Sequence, residues 1–247
     1  MPKGGQRSWF DWVFALLVVG AAGWFYQAHG KAMDGYEIGI LALAVPSLIW
    51  LGWFWAPLRV LRLSSGLVSV GAMSLYMRAT DAYGADLAQA DKVFWLKYFL
   101  SSQSAILWMS VLFFMSTLAY WVGVFARSGN ATRFGSRLAW AGVFMALVGT
   151  LVRWFESYQI APDIGHVPVS NLYEVFVLFS WMTAIFYLYY EERYRTRALG
   201  AYVMLVVSLA VSFLLWYTVA REAHEIQPLV PALQSWWMKI HVPANFV

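Results

Sequence analysis

The chain has 247 residues, of which 61% are hydrophobic, 19% are aromatic and only 12% are charged, with a formal net charge of +4. Because soluble domains carry roughly 25% charged residues, this composition excludes an ordinary soluble domain and predicts an integral membrane protein. The sequence contains no cysteine, which excludes disulfides, CxxC motifs and thiolate metal sites. The small positive charge does not indicate a nucleic-acid partner.

Apolar runs of membrane-spanning length follow one another along residues 1–220. A spanning helix needs about 17–25 mostly apolar residues, so these runs predict an all-α fold, a polytopic transmembrane bundle of about seven helices. The first run follows a basic lead typical of signal peptides, but flanking tryptophans favour an uncleaved span. The third run is short and rich in serine and glycine, so an interfacial placement is the alternative. The seven runs are residues 9–27, 38–57, 60–78, 103–126, 137–157, 170–190 and 198–220.

Arginine-rich loops predict the orientation of the bundle. Residues 127–137 and 191–197 are short and basic, and the positive-inside rule places such loops in the cytoplasm. With seven spans, the N-terminus is then cytoplasmic and the C-terminus periplasmic. The outer face receives three segments: residues 79–102, which are long enough for a short helix lying on the membrane, residues 156–175, and a periplasmic interfacial segment over residues 221–247.

Ionisable residues are scarce inside the predicted spans. Arg153, Glu156 and Glu174 lie near the ends of spans rather than at their centres. Transporters and proton pumps usually carry carboxylates or histidines within the membrane, so this pattern argues against them. All four histidines fall on the predicted outer face, and His29 and His224 have polar neighbours typical of loop residues.

A rigid turn is predicted around His166, in the string PDIGHVPVSNLYE. Pro162 and Pro168 bracket a glycine, which is typical of a fixed turn. Ser170 is the expected N-cap of the following helix, and Glu174 is placed to reach back toward that cap. The simpler interpretation is structural, a turn packed on a capped helix; a turn that lines a ligand site is the alternative.

A short amphipathic helix is predicted near the end of the chain, beginning at Pro231. Its apolar positions follow the spacing i, i+3, i+4, i+7, and its tryptophans suit the membrane surface. His241 borders the apolar face. It is either a tolerated interfacial histidine or an axial ligand of haem, which needs only one histidine on each face of the iron. The apolar positions are Leu233, Trp236, Trp237 and Ile240.

Two segments together resemble the cytochrome c assembly family, and more narrowly the haem-handling subunit of the System II cytochrome c synthase. They are GHVPVSNLYEVFVLFSWMTAIFYLYYE (165–191) and IQPLVPALQSWWMKIHVPANF (226–246). The resemblance implies a multi-pass protein of the bacterial cytoplasmic membrane that works with a partner membrane subunit. Such proteins move haem b, as cargo, to the outer face of the membrane. There they present it to apocytochrome c for thioether attachment at CxxCH.

The same resemblance implies that His241 is an axial ligand of the haem iron. Candidate residues beside it are Trp236 and Trp237, which would pack against the haem, and the turn residues His166, Asn171, Tyr173 and Glu174.

The sequence departs from the family pattern after His241. It contains no tryptophan-rich string of the WGxxWxWD type and, after His241, no further histidine, so the chain is expected to end before the family's haem-binding region. We therefore expect the chain alone to bind haem poorly and to be inactive in thioether synthesis, whether or not the complex counts as an enzyme. A scaffold subunit without haem contact and, less favoured, a small-solute transporter are the competing interpretations.

Overall fold

The computed structural model describes residues 8–30, 33, 35–79, 87–160, 164–228, 237, 241 and 244, to which all structural statements refer. Seven α-helices account for most of these residues, and no strand occurs among them. The helices are α1 (Trp9–His29), α2 (Gly35–Phe54), α3 (Ala56–Ala79), α4 (Ser102–Phe125), α5 (Gly129–Ile160), α6 (Leu172–Tyr194) and α7 (Gly200–Arg221).

Six of these helices are long and apolar enough to cross a membrane, which confirms the prediction of a polytopic helical bundle. The remaining helix, α2, has a shorter apolar stretch, Ile38–Phe54, and contains Pro46. The doubtful run 60–78 lies inside α3, whose stretch Ala56–Arg78 meets the length and composition of a span. The cytoplasmic location of the N-terminus stays a prediction.

The chain divides into two compact units, Met1–Ser64 and Ser65–Val247. In the first unit, a single residue separates α2 from α3, so Arg59 and Arg62 lie in the first turns of α3. Arg59 forms an ion pair with Asp11, and Arg62 Nη1 donates to the Leu48 carbonyl oxygen at 2.8 Å. These partners stabilise the two arginine side chains among apolar helices, where an unpaired charge would be costly.

In the second unit, α4 to α7 pack as a ring. Helix α4 contacts α5 and α7, and α6 contacts the same two helices. The segment before α4 adds a six-residue 3₁₀ helix (Leu87–Lys92) and a five-residue π-helix (Leu96–Leu100). Leu96 is fully buried in an apolar cluster with Tyr76 and Val152. The described part of the loop 79–102 is therefore helical, as expected, and it packs on the bundle.

Glycines allow α4 and α5 to approach closely, as in other membrane helix pairs. A Cβ atom built on Gly142 would lie 2.5 Å from Phe113 Cε1, and Phe113 is fully buried. We predict that Gly142→Ala lowers the free energy of unfolding by about 1–3 kcal/mol, because overpacking forces side chains out of their rotamers. Thermal unfolding in mild detergent measures the loss. Gly66→Ala, where no atom lies within 4 Å of the added Cβ, is the matched control and should be neutral.

Candidate functional site

A buried arginine joins three elements at one end of the ring. Arg153 Nε, in α5, donates to Glu174 Oε1 in the first turn of α6 at 2.8 Å, and each side chain is only 2% exposed. Arg153 Nη1 donates to the carbonyl oxygen of His224, just after α7, at 2.7 Å. The guanidinium also lies 5.1 Å from the centre of the Tyr173 ring. A buried charge needs such partners, since it has left water.

The start of α6 is capped differently from the prediction. The N-cap is Asn171, whose Oδ1 accepts from the Glu174 N–H at 2.9 Å, and not Ser170. Glu174 Oε2 still reaches back, but it accepts the N–H of Ser170, the residue before the N-cap, at 2.8 Å. The reason is that the Ser170 hydroxyl is taken by other partners, 2.7 Å from Glu174 Oε2 and 2.7 Å from His166 Nε2.

His166 completes this group, which we call the clasp: Arg153, Ser157, His166, Ser170 and Glu174. The imidazole is 4% exposed, with Nδ1 2.6 Å from the Ile164 carbonyl oxygen. The backbone of His166 contacts the Ser157 hydroxyl through both N–H (3.2 Å) and C=O (3.3 Å). The turn is thereby fixed to α5 through Ser157 and to α6 through Ser170.

The hydrogen bonds around the His166 imidazole require a proton on both of its ring nitrogens. A carbonyl oxygen only accepts, so Nδ1 carries a proton toward Ile164. A carboxylate also only accepts, so the single Ser170 hydroxyl proton points to Glu174 Oε2. Nε2 must then donate to Ser170 Oγ, which requires the imidazolium form. A neutral ring with this arrangement would leave the lone pairs of His166 Nε2 and Ser170 Oγ facing each other.

The pKa of His166 follows the same geometry. Burial lowers this pKa, but the nearby Glu174 carboxylate and the bond to the Ile164 carbonyl outweigh burial and the opposing charge of Arg153. The net result is a pKa above the ordinary value. A group whose pKa is raised by folding contributes stability that is fully present below its unfolded pKa of about 6.5. That stability is lost as the pH rises through the higher, folded pKa.

We therefore predict that the unfolding temperature of the chain falls as the pH is raised from about 6 through the raised pKa of His166. His166→Gln should flatten this part of the profile, because glutamine does not titrate. The profile is measured by thermal unfolding in detergent. An identical pH dependence in the variant would show that His166 is not the titrating group.

A second buried carboxylate lies one turn further along α5. Glu156 is 6% exposed and accepts from the Tyr76 hydroxyl at 2.6 Å, the Ser102 N–H at 3.0 Å and the Ser102 hydroxyl at 2.5 Å. A cavity of about 430 Å³ lies beside it, lined by Tyr76, Leu87, Ala88, Ala90, Asp91, Ser101, Ser102, Gln103, Arg153, Glu156, Ile160, His224, Glu225 and Ile226.

His224 lines this cavity instead of being a solvated loop residue. It is half-buried, and its Nδ1 is shielded without a hydrogen-bond partner among the described residues. Arg153 Nη2 is also buried without a hydrogen-bond partner among the described residues.

The predicted haem ligand lies in a helical turn. The His241 N–H donates to the Trp237 carbonyl oxygen at 2.9 Å, and His241 Nδ1 lies 3.1 Å from the same oxygen. Both side chains are exposed. Because that carbonyl only accepts, Nδ1 carries the proton and Nε2 carries the lone pair. Trp236 and most of the predicted amphipathic helix lie outside the described residues, as does the side chain of His29.

A family model described as "Cytochrome C assembly protein" matches residues 169–247, which include all of α6, all of α7 and His241. Residues 169–247 thus resemble the cytochrome c assembly family. The resemblance inferred from the two quoted segments is thereby confirmed.

Curated relatives of the cytochrome c assembly family match a longer part of the chain. The "Cytochrome c biogenesis protein CcsA" of Cycas taitungensis is 34% identical over 132 residues, covering 51% of this chain and 37% of the relative. The proteins of the same name from Synechococcus elongatus (33%, covering 53% and 38%) and Chlorella vulgaris (29%, covering 53% and 40%) are similar. The matches thus span about two fifths of the length of these relatives. No solved structure matches the chain.

The family segment contains only part of the clasp. Of the turn residues singled out in the sequence, Asn171, Tyr173 and Glu174 fall within the match and His166 lies just before it. Arg153 was noted only as a residue near a span end, and its pairing with Glu174 was missed. The sequence could have predicted this pairing, because an arginine in an apolar helix requires a counter-charge and Glu174 lies in the first turn of the next helix.

Proposed function

We propose that the chain takes part in cytochrome c biogenesis as the haem-handling membrane subunit of a System II synthase in the bacterial cytoplasmic membrane. With a partner subunit, it delivers haem b to the outer face of that membrane. There it presents the haem for thioether attachment to the CxxCH motif of apocytochrome c. The observation that carries this proposal is the family match over residues 169–247, which contains His241.

His241 is the proposed axial ligand. An imidazole that donates through Nδ1 to a carbonyl presents the Nε2 lone pair to a metal, and such a bond also orients the ring. The exposure of His241 and of Trp237 is compatible with a flat ligand lying beside them. Trp236 is proposed to pack on the haem with Trp237.

We propose that the clasp positions the chain around the haem site and does not itself bind iron. Both nitrogens of His166 already face protein atoms, Ile164 O and Ser170 Oγ, so the ring is poorly suited to bind iron. Arg153 instead fixes the carbonyl of residue 224, from which the chain continues toward His241. In this proposal Asn171, Tyr173 and Glu174 hold the end of α6 that anchors the arginine.

The test is a haem titration of the purified full chain in detergent. We expect ferric haem to bind the chain alone weakly, with a Soret band that shows an axial-histidine shift, and His241→Ala to weaken that binding by about tenfold or more. Loss of outer-shell partners alone costs 10–100-fold in metal affinity, and a direct ligand should matter at least as much. His29→Ala, also a histidine predicted on the outer face, is the control and should bind like the parent chain.

Two results would contradict the proposal. An unchanged Soret band and affinity in His241→Ala would refute the ligand assignment. A chain that binds no haem, alone or together with its partner subunit and the C-terminal part of a curated relative, would favour a scaffold without haem contact. Substrate uptake without pigment would instead indicate a transporter.

A further inference from the structure

Arginine is concentrated at the end of the bundle that lies away from the clasp. Six exposed arginines and two glutamates, Glu191 and Glu192, lie in this region. They belong to the α4–α5 connection, the beginning of α5, the last turn of α6 and the α6–α7 connection. The six are Arg127, Arg133, Arg137, Arg193, Arg195 and Arg197.

A cavity of about 360 Å³ opens within this basic region. Its wall comes from the beginning of α5, the end of α6 and the connection to α7, so it combines arginine side chains with apolar and aromatic surface. The lining residues are Ser136, Trp140, Leu188, Glu191, Glu192, Arg195 and Arg197.

The buried carboxylate in this wall is already satisfied. Glu191 is 6% exposed; its Oε1 accepts from Arg197 Nε at 2.8 Å, and its Oε2 accepts from the hydroxyls of Tyr120 (2.6 Å) and Tyr187 (2.8 Å). Three donors on one carboxylate hold its charge inside the protein. The side chain of Arg197 remains 42% exposed, so the remaining face of its guanidinium is accessible.

The cavity lies at the depth of lipid headgroups. Helix α5 has 32 residues and is therefore about 48 Å long, whereas the hydrocarbon core of a bilayer is about 30 Å thick. Ser136 and Trp140 lie about 11 and 17 Å from its first residue, within the roughly 18 Å by which the helix exceeds that core, which places them toward one membrane surface. Tryptophan is enriched at that level, and the apolar wall formed by Leu188 suits the base of an acyl chain.

We propose that this cavity binds the phosphate of an anionic phospholipid headgroup. The planar guanidinium fork of arginine matches phosphate geometry, and basic pockets between membrane helices attract anionic lipids. Arg195 and Arg197 contact the phosphate, while Trp140 and Leu188 contact the lipid's apolar part. This inference is independent of the proposed role in cytochrome c biogenesis.

The backbone offers a way to remove one arginine without weakening the fold. Arg195 ends α6 in the left-handed conformation (φ 51°), where glycine is preferred because a Cβ atom is disfavoured. Arg195→Gly therefore deletes the guanidinium while relieving the backbone. Arg127 has the same conformation (φ 49°), lies at the same end of the bundle and does not line the cavity. Arg127→Gly is thus a matched control.

The experiment is native mass spectrometry of the full chain in uncharged detergent, titrated with phosphatidylglycerol or phosphatidylcholine of identical acyl chains. We expect the first phosphatidylglycerol to bind at least about fivefold more tightly than phosphatidylcholine. Each arginine near a headgroup contributes about fivefold in affinity, so Arg195→Gly should weaken the first binding event by that factor. Its unfolding temperature should not fall. Arg127→Gly should bind like the parent chain.

Three outcomes would overturn the proposal. Equal affinity for the two lipids would show that the cavity does not recognise the charge of the headgroup. Equal weakening in both variants would indicate diffuse attraction by the whole basic surface. Displacement by inorganic phosphate at matched concentration would indicate a free-anion site. Should Arg195→Gly fail to fold, Arg195→Asn serves instead, since asparagine tolerates the left-handed conformation.

Discussion

Arg153→Gln should lower the free energy of unfolding by about 3–5 kcal/mol, because the buried Glu174 carboxylate loses its closer counter-charge and keeps the His166 imidazolium, 3.8 Å away. The His224 carbonyl would lose its donor in the same variant. The loss is measured by denaturant unfolding of the chain in mixed micelles. A loss below about 1 kcal/mol would mean that water or other donors reach Glu174 and that the clasp is not a stabilising unit.

The double variant Arg153→Gln, Glu174→Gln distinguishes two causes of the lost stability. One is the unpaired charge of Glu174, and the other is the loss of hydrogen bonds. Two amides can share a hydrogen bond, and His166 can then stay neutral, so the double variant should leave no buried charge and be more stable than Arg153→Gln alone. Replacing a whole buried ion pair is often neutral, whereas breaking one is costly. Additive losses from the two single substitutions would show that Arg153 and Glu174 do not interact energetically.

Glu156→Ala should be the second severe change, with a loss of about 3 kcal/mol in the free energy of unfolding. Three donors lose their acceptor together: the Tyr76 hydroxyl and the N–H and hydroxyl of Ser102. Each buried, unsatisfied donor costs about 1–3 kcal/mol, and water from the adjoining cavity offsets part of the sum. Because the Ser102 N–H belongs to the first turn of α4, Glu156 acts as a helix cap supplied by a neighbouring helix.

Glu156→Gln is the matched control, because glutamine keeps the shape of the side chain and removes its charge. The Tyr76 hydroxyl and the Ser102 N–H both bond to Oε1, so one amide oxygen can keep both, and the Ser102 hydroxyl can turn to accept from the amide. We expect a loss of less than about 1 kcal/mol by thermal unfolding. Equal losses for alanine and glutamine would show that the charge, and not the acceptor, matters.

Hydropathy predicted the helices well because spanning length and apolar composition are local properties. The runs 103–126, 137–157, 170–190 and 198–220 correspond to α4 to α7, with ends shifted by a few residues or, for α5, extended at both ends. The extension of α5 begins in residues counted as a loop. Arg133 and Arg137 are polar enough to resemble a connection, but arginine is a good helix former.

Side-chain partners were harder to predict, because they depend on which helices become neighbours. Ser170 and Asn171 are both good N-caps, and the choice between them is made by His166, which takes the Ser170 hydroxyl. The pairing of Glu191 with Tyr120 likewise joins α6 to α4, which are not consecutive. Sequence spacing shows which residues share a helix face, not which face a distant helix will meet.

The bond from Arg153 to the carbonyl oxygen of His224 has a practical consequence for mutagenesis. Every amino acid supplies that oxygen, so the junction after α7 accepts any side chain at position 224 without losing this bond. Alanine scanning of residues 222–228 would therefore show no effect on the junction, although the backbone there is essential to it. A change that redirects the peptide, such as a one-residue insertion before His224, would reveal the dependence that single substitutions hide.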